Sequence, residues 1–311
     1  MIAFPGKKLN RSHLGRSDEG QAYLMLLPQI IGFLLFSVYP ICWIFRYAWF
    51  DYDSVTEKFI GADNFIRIFT RDPDFWNALA NTFILSIGKL LVELPLALVL
   101  AVLLNNPKMK TRGFFRSMFF MPNVVSVAIV GLIFYFLFDP FQGIVNNIIL
   151  ALNPAAPNIQ WFSGKWEAML VIAVASIWQN FGVNMLFFLS GLQNIPEELY
   201  ECSQIDGASK FQQFTRITLP MLAPTMQIII MLALIGSLKV TDLVLVLTNG
   251  NPAGQTEVAM TYIFKYFFKY GEGSTIPQIG YASALGMVMA VILAIVSGIY
   301  LKLTKNMNDV G

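Results

Sequence analysis

A stripe of neutral polar side chains crosses one of the most apolar parts of this sequence: Ser176, Gln179, Asn180 and Asn184. At i, i+3, i+4 and i+8 they share one face of a helix. Their amides and hydroxyl offer both donors and acceptors, and Trp178 and Phe181 lie beside them. That combination suits a sugar, whose hydroxyls need both kinds of partner and whose C–H faces stack on rings. The plainer reading is a set of hydrogen bonds to neighbouring helices. Two charge pairs occupy similar surroundings, Lys89 with Glu93 at i+4 and Lys239 with Asp242 at i+3. Each can neutralise itself on its own helix, and a structural ion pair is the default for charges in such segments. Two alternatives stay open. Lys239 and Asp242 could line a path for a charged sugar or a phosphorylated polyol, or Glu93 or Asp242 could couple proton movement in an ion-driven transporter.

Other chemistry lacks its residues. The chain contains no G-x-x-x-x-G-K-[ST], H-E-x-x-H, G-x-S-x-G or C-x-x-C, so it carries no catalytic constellation and no visible machinery for hydrolysing a nucleotide or a peptide. Any energy for uphill movement must enter through another protein or an ion gradient. His13 stands alone in a polar tail, without the several ligands that a metal needs. A net charge of +2 over 311 residues predicts no nucleic-acid partner.

The elements that position the stripe follow from composition. The chain is 56% hydrophobic and 13% charged, too apolar for a water-soluble fold. The apolar residues fall into six blocks, about 22–45, 79–104, 118–138, 168–191, 222–248 and 279–301, each long enough to cross a bilayer. The expected fold is all-α: a single six-helix membrane domain over 22–303, with tails at 1–21 and 304–311. If residue 1 lies inside, the inner segments hold 12 Lys and Arg against 7 in the outer ones. This places both termini in the cytoplasm. Cys42 then lies near the outer surface and Cys202 inside, so the two cannot pair. Pro122 frees the carbonyl of Met118 and predicts a kink in the third span.

The inner segment 192–221 predicts a helical hairpin. Asn194 followed by Glu197 reads as a helix-start box, with Pro196, Glu197 and Glu198 in the first turn. Asp206-Gly207 ends that helix and a second begins near Ala208. Leu199, Ile205, Ala208, Phe211 and Phe214 give the pair apolar surface, while Glu201 and Asp206 add charge. A half-apolar helix pair of this kind fits a groove on a partner.

This hairpin resembles the EAA signature of ABC-transporter permeases, with Glu201-Cys202-Ser203, Gly207 and Ile217-Thr218-Leu219-Pro220 at the family's spacings. Cys-Ser replaces the usual Ala-Ala and keeps those positions small. The stretches "AYLMLLPQIIGFLLFSVYPI", "RGFFRSMFFMPN", "IDGAS" and "DLVLVLTNGNP" look like the maltose- and multiple-sugar-type permeases of the bacterial inner membrane. The resemblance implies one permease of a heterodimeric pair, importing a sugar such as an oligosaccharide. It also implies two ATP-hydrolysing subunits, which bind ATP and Mg where this chain binds no cofactor, and an extracytoplasmic solute-binding protein. Glu201, Cys202, Ser203, Asp206, Gly207, Ala208 and Phe211 would form the coupling helix region seated in the ATPase. The sugar-lining positions of the maltose-type permease fall on Asn123, Ser176, Gln179, Asn180, Gly236, Ser237 and Val240, although counting along 118–138 puts Asn123 nearer the cytoplasmic third of its span. A long inserted periplasmic domain found in some of those relatives is missing.

Two outer segments carry aromatic residues. Residues 257–270 place tyrosines at 262, 266 and 270 and lysines at 265 and 269, an amphipathic helix expected to rest at the membrane surface. It could serve either as an interfacial anchor or as a landing place for a binding protein. Residues 139–166, with Trp161 and Phe162, admit the same two readings.

Overall fold

A computed structural model describes residues 17–268 and 277–305. His13, Lys269, Tyr270 and most of both tails lie outside the described residues. The first span is α1 (Ser17–Phe33) and α2 (Tyr39–Tyr47), joined through a π-helical turn at Leu34–Val38. A short antiparallel hairpin follows, β1 (Phe50–Tyr52) against β2 (Glu57–Phe59), and then α3 (Asp63–Thr70). The second span is α4 (Pro73–Leu104), which begins before the apolar block because Asp72 caps it and Pro73 supplies its first turn.

The third span is broken. α5 (Arg112–Val124) and α6 (Val127–Leu137) meet at 96°, with Val125 and Ser126 extended between them. The break comes three residues after Pro122 and is far sharper than the kink expected at that proline. α7 (Ile144–Leu152) lies outside the spans, and α8 (Lys165–Gln193) is the fourth. The hairpin consists of α9 (Glu197–Ile205) and α10 (Lys210–Gln213), leading through a second π turn at Phe214–Thr218 into α11 (Leu219–Leu238).

The fifth block, expected to be continuous over 222–248, is also interrupted. α11 stops at Leu238, Lys239–Thr241 form a turn, and α12 (Asp242–Leu247) restarts in a separate helix. α13 (Ala259–Phe267) and the sixth span α14 (Ile279–Thr304) complete the chain. Among the described residues five helices are long and apolar enough to cross a bilayer, and the bent α5–α6 pair makes six if it is one span.

Lipid gives apolar helices no net reason to associate, so close packing and polar contacts must hold the bundle together. α8 is its centre and touches α4, α5, α6, α11 and α12. Gly182 brings α8 against the backbone of α5: an added Cβ would lie 2.0 Å from the Phe119 carbonyl oxygen. One apolar cluster gathers Phe134, Ile172 and Val244, and another gathers Ala101, Phe188 and Leu222. A third joins Ile68, Phe75 and Leu285. Along α8 the first cluster uses Met169 to Ala175 and the second uses Met185 to Leu192. The polar stripe occupies the turns between them. In the first span α2 packs against α14, whereas the most apolar stretch, from Tyr23 on, is unburied.

Candidate substrate cavity and coupling hairpin

A cavity of about 390 Å³ opens where the stripe interrupts the packing of α8. That volume lies at the lower end of the roughly 300–1,000 Å³ typical of small-molecule pockets. Asn123, Ser176, Gln179, Asn180, Asn184, Gly236, Ser237, Val240, Lys239 and Asp242 all line it. Asn123 reaches it two residues before the break at Val125, in a helix that starts at Arg112. Both interrupted spans border the cavity, as expected of irregular backbone at membrane depth, which survives only where protein or a cavity covers it.

Part of the stripe's bonding capacity is used within the chain. Gln179 Nε2 donates to the Val125 carbonyl at the α5–α6 break, 3.3 Å away. Asn180 Nδ2 donates to the Ser176 carbonyl at 2.8 Å, and Ser237 Oγ donates to Ala233 O at 2.7 Å. Asn184 Nδ2 donates to Glu93 Oε1 at 2.5 Å. The side chains of Asn123 and Ser176, the Asn180 carbonyl oxygen and one Gln179 N–H make no bond among the described residues. The cavity wall therefore presents both donors and acceptors.

The two charge pairs behave differently. Lys89 Nζ lies 3.4 Å from Glu93 Oε2 along α4, and both residues are buried at the cavity wall. Lys239 and Asp242 do not form the ion pair expected of one helix, because the helix ends between them. Lys239 closes α11 and Asp242 opens α12. Both are exposed to the cavity, and neither makes an ion pair among the described residues.

The aromatic wall also differs from expectation. Trp178 packs against Phe134 with ring centres 5.7 Å apart, and Phe181 against Phe119 at 5.9 Å. Neither lines the cavity, whereas Phe187 does. Phe187 lies seven residues after Asn180 and eight after Gln179, so extending the stripe by one helical turn would have found it.

At the hairpin, Asn194 does not open α9. It caps the C-terminal end of α8, its N–H bonded to Gly191 O and Leu192 O, while Pro196 occupies the cap of α9. Glu197 and Glu198 still complement the helix start. Gly207 ends α9 with φ +79°, which favours glycine. α10 opens at Lys210 rather than Ala208, because Ser209 and Gln212 cap each other reciprocally.

Gln213 Nε2 donates to Ser203 Oγ at 2.8 Å, and Ser203 Oγ donates to the Tyr200 carbonyl at 2.8 Å. The Tyr200 and Thr218 hydroxyls lie 2.9 Å apart. These bonds make the hairpin one unit. Ile205 and Phe211 are 86% and 75% exposed at its tip, beside exposed Glu201, Cys202, Asp206 and Gly207 and half-buried Ala208.

At the opposite end of the bundle the two aromatic outer segments pack within the chain. α13 packs between α4 and α14 instead of lying on a surface. Lys265 pairs with Glu257, and Tyr262 OH donates to Asp72 Oδ1 at 2.8 Å. Burial, then contacts with Tyr266 and Asp72, pushes the Tyr262 phenol well above its ordinary range. Trp161 Nε1 donates to Asn146 Oδ1 at 2.9 Å, and Phe162 stacks on Tyr135. These aromatics hold the chain's own loops.

Relatives match this chain over nearly their whole length. The permease AraP of an arabinooligosaccharide transport system in Bacillus subtilis is 31% identical, covering 95% of this chain and 92% of the relative. The lactose permease LacF of Rhizobium radiobacter is 33% identical over 93% and 95%. A chain of a bacterial ABC transporter involved in the import of the acidic polysaccharide alginate is 26% identical, as is a chain of a bacterial alginate ABC transporter in complex with an alginate pentasaccharide-bound periplasmic protein. Each superposes with a TM-score of 0.80 over 93% of this chain and 96% of that one. Residues 93–309, which span the cavity and the hairpin, match the binding-protein-dependent transport system inner membrane component, and the chain belongs to that family of ABC-importer permeases.

Proposed function

We propose that this chain is the sugar-conducting permease of an ATP-driven bacterial importer, and that its substrate is an oligosaccharide. The observation that carries this reading is a cavity of amides and hydroxyls between two broken spans, on the same helix, α8, that leads into the hairpin. Neutral groups of both polarities match hydroxyls better than they match an ion. The names of the relatives, for arabinooligosaccharides, lactose and alginate, support the same substrate class.

In this reading the hairpin end faces the cytoplasm, as do both termini. Ile205 and Phe211 enter a groove on an ATPase subunit, with Glu201 beside a basic group there. ATP and Mg act on the two ATPase partners, whose closure moves the hairpin and rocks this bundle against a second permease. A binding protein delivers the sugar from outside. Unpaired Lys239 favours a second substrate reading, a saccharide carrying an anionic group.

The test is uptake by the complex of both permeases, the ATPases and the binding protein, reconstituted in vesicles. Glu201→Lys and Gly207→Pro should leave the permease folded and abolish glycan-stimulated ATP hydrolysis. Uptake that collapses with a proton or sodium ionophore while ATP remains would instead identify a secondary transporter. No flux under either energy source would leave only a scaffold.

A further inference from the structure

We propose that a second cavity, at the hairpin end, binds a phosphate-bearing anion and thereby ties the hairpin to the bundle. The cavity measures about 400 Å³ and lies between the α4–α5 turn and the hairpin. Asn105, Asn106 and Lys108 face it from one side, and Tyr200, Lys210 and Thr218 from the other. No carboxylate lines it. Lys108 and Lys210 are both exposed and make no ion pair among the described residues. The acidic residues of α9 do not reach its wall. Two ammonium groups on one small cavity repel each other, and an anion between them reverses that cost.

Neighbouring charge has the same sign. Residues 105–117 hold Lys108, Lys110, Arg112 and Arg116 and no acid. Arg116 Nη2 donates to the Leu104 carbonyl at 3.0 Å, at the end of α4, and its buried Nε has no acceptor. The amide oxygen of Asn106 already accepts from the Lys108 N–H at 3.0 Å, leaving its Nδ2 as a donor.

The wall is therefore rich in donors and positive, which suits the several acceptor oxygens and the charge of a phosphate group. A neutral sugar has no use for two cations. The phosphate could belong to a soluble phosphomonoester or to an anionic lipid headgroup of the adjacent leaflet. Either would bridge the end of α4 to α10 and restrain the element proposed to move in transport.

The test follows lysine acylation, residue by residue, by mass spectrometry on the assembled importer in nanodiscs. Glycerol 3-phosphate is added to phosphatidylcholine discs, with glycerol as control. A second arm uses phosphatidylglycerol discs without soluble phosphate. At about four times its Kd the probe should slow Lys108 and Lys210 about fivefold, and leave Lys58 and Lys302 unchanged. Protection in the first arm identifies a soluble ligand, and protection in the phosphatidylglycerol discs alone identifies a headgroup. Lys108→Glu, or Lys108→Gln if the reversed charge misfolds, should abolish protection of Lys210. Protection in neither arm, equal slowing of all lysines, or protection of Lys210 that survives loss of Lys108 would overturn the proposal.

Discussion

Two polar regions cross this membrane domain, and they use their hydrogen bonds in opposite ways. At the end away from the hairpin, Asp72 accepts from the Phe75 N–H, the Tyr262 hydroxyl and the Tyr281 hydroxyl. Nearby, Asn81 Nδ2 donates to Gln255 O and Glu257 O, Thr82 Oγ1 accepts from the Ala259 N–H, and Thr261 Oγ1 donates to Glu257. This seam joins α4 to α13 and α14, and every donor named finds an acceptor in the chain, while the buried Asn81 Oδ1 accepts from none of the described residues. At the cavity, Asn123, Ser176 and half of the Asn180 amide remain unengaged, and Lys239 and Asp242 stay apart. The contrast shows that residue type alone does not separate glue from ligand wall. The share of donors engaged within the chain does.

The comparison breaks or sharpens under substitution. The largest effect is expected for Asp72→Ala, which removes a helix cap and strands two tyrosine hydroxyls. The stability cost should be about 3–5 kcal/mol, read as a fall of at least about 5 °C in the thermal unfolding of the purified subunit. An unchanged transition would show that the seam is not structural.

Asn180→Ala and Asn123→Ala should do the reverse. Each should cost under about 1 kcal/mol of stability and raise the KM for glycan uptake about tenfold, equivalent to about 1.4 kcal/mol of lost binding. If Asn180→Ala unfolds the protein as Asp72→Ala does, the two regions are alike and the distinction fails.

The smallest effect belongs to a polar group that is satisfied but exposed. N–H groups of Thr56 and Val55 hold the Asp53 carboxyl below its usual range at the β1–β2 turn. Its folded pKa is depressed, so its contribution is present above the unfolded value of about 3.9 and disappears as pH falls through the folded one. Asp53→Asn should speed amide exchange at Val55 and Thr56 without moving the global transition. A global shift would mean that saturation matters even without burial.

Much of this arrangement was legible in the sequence where the signal is periodic or local. Ser176, Gln179, Asn180 and Asn184 declared one helix face by their spacing, and Gly207 declared a helix end by its residue type. The break at Val125 left no such mark, because hydropathy stays high through "NVVSVAIV" while the backbone turns, and at the second break Lys239 and Asp242 fit an ion pair on one helix as well as they fit a helix end. Asn194 and Glu197 matched a capping pattern, but Asn194 is the C-cap of α8. α13 looked like a surface helix because its partners are remote: Tyr262 meets Asp72 from 190 residues earlier. Local pattern reports periodicity, whereas only the assembled bundle decides which polar groups find each other.

The exposure of α1 and the π turn after it bears on how the protein is built. None of the three apolar clusters has a buried member before Ala48, and Met25 and Phe36 stand 80% and 83% exposed. Helices can insert singly and assemble later, so α1 needs no sibling from this chain to be at home in the bilayer. It resembles an outrigger more than a pillar, and whatever flanks it, acyl chains or another subunit, is recruited from outside.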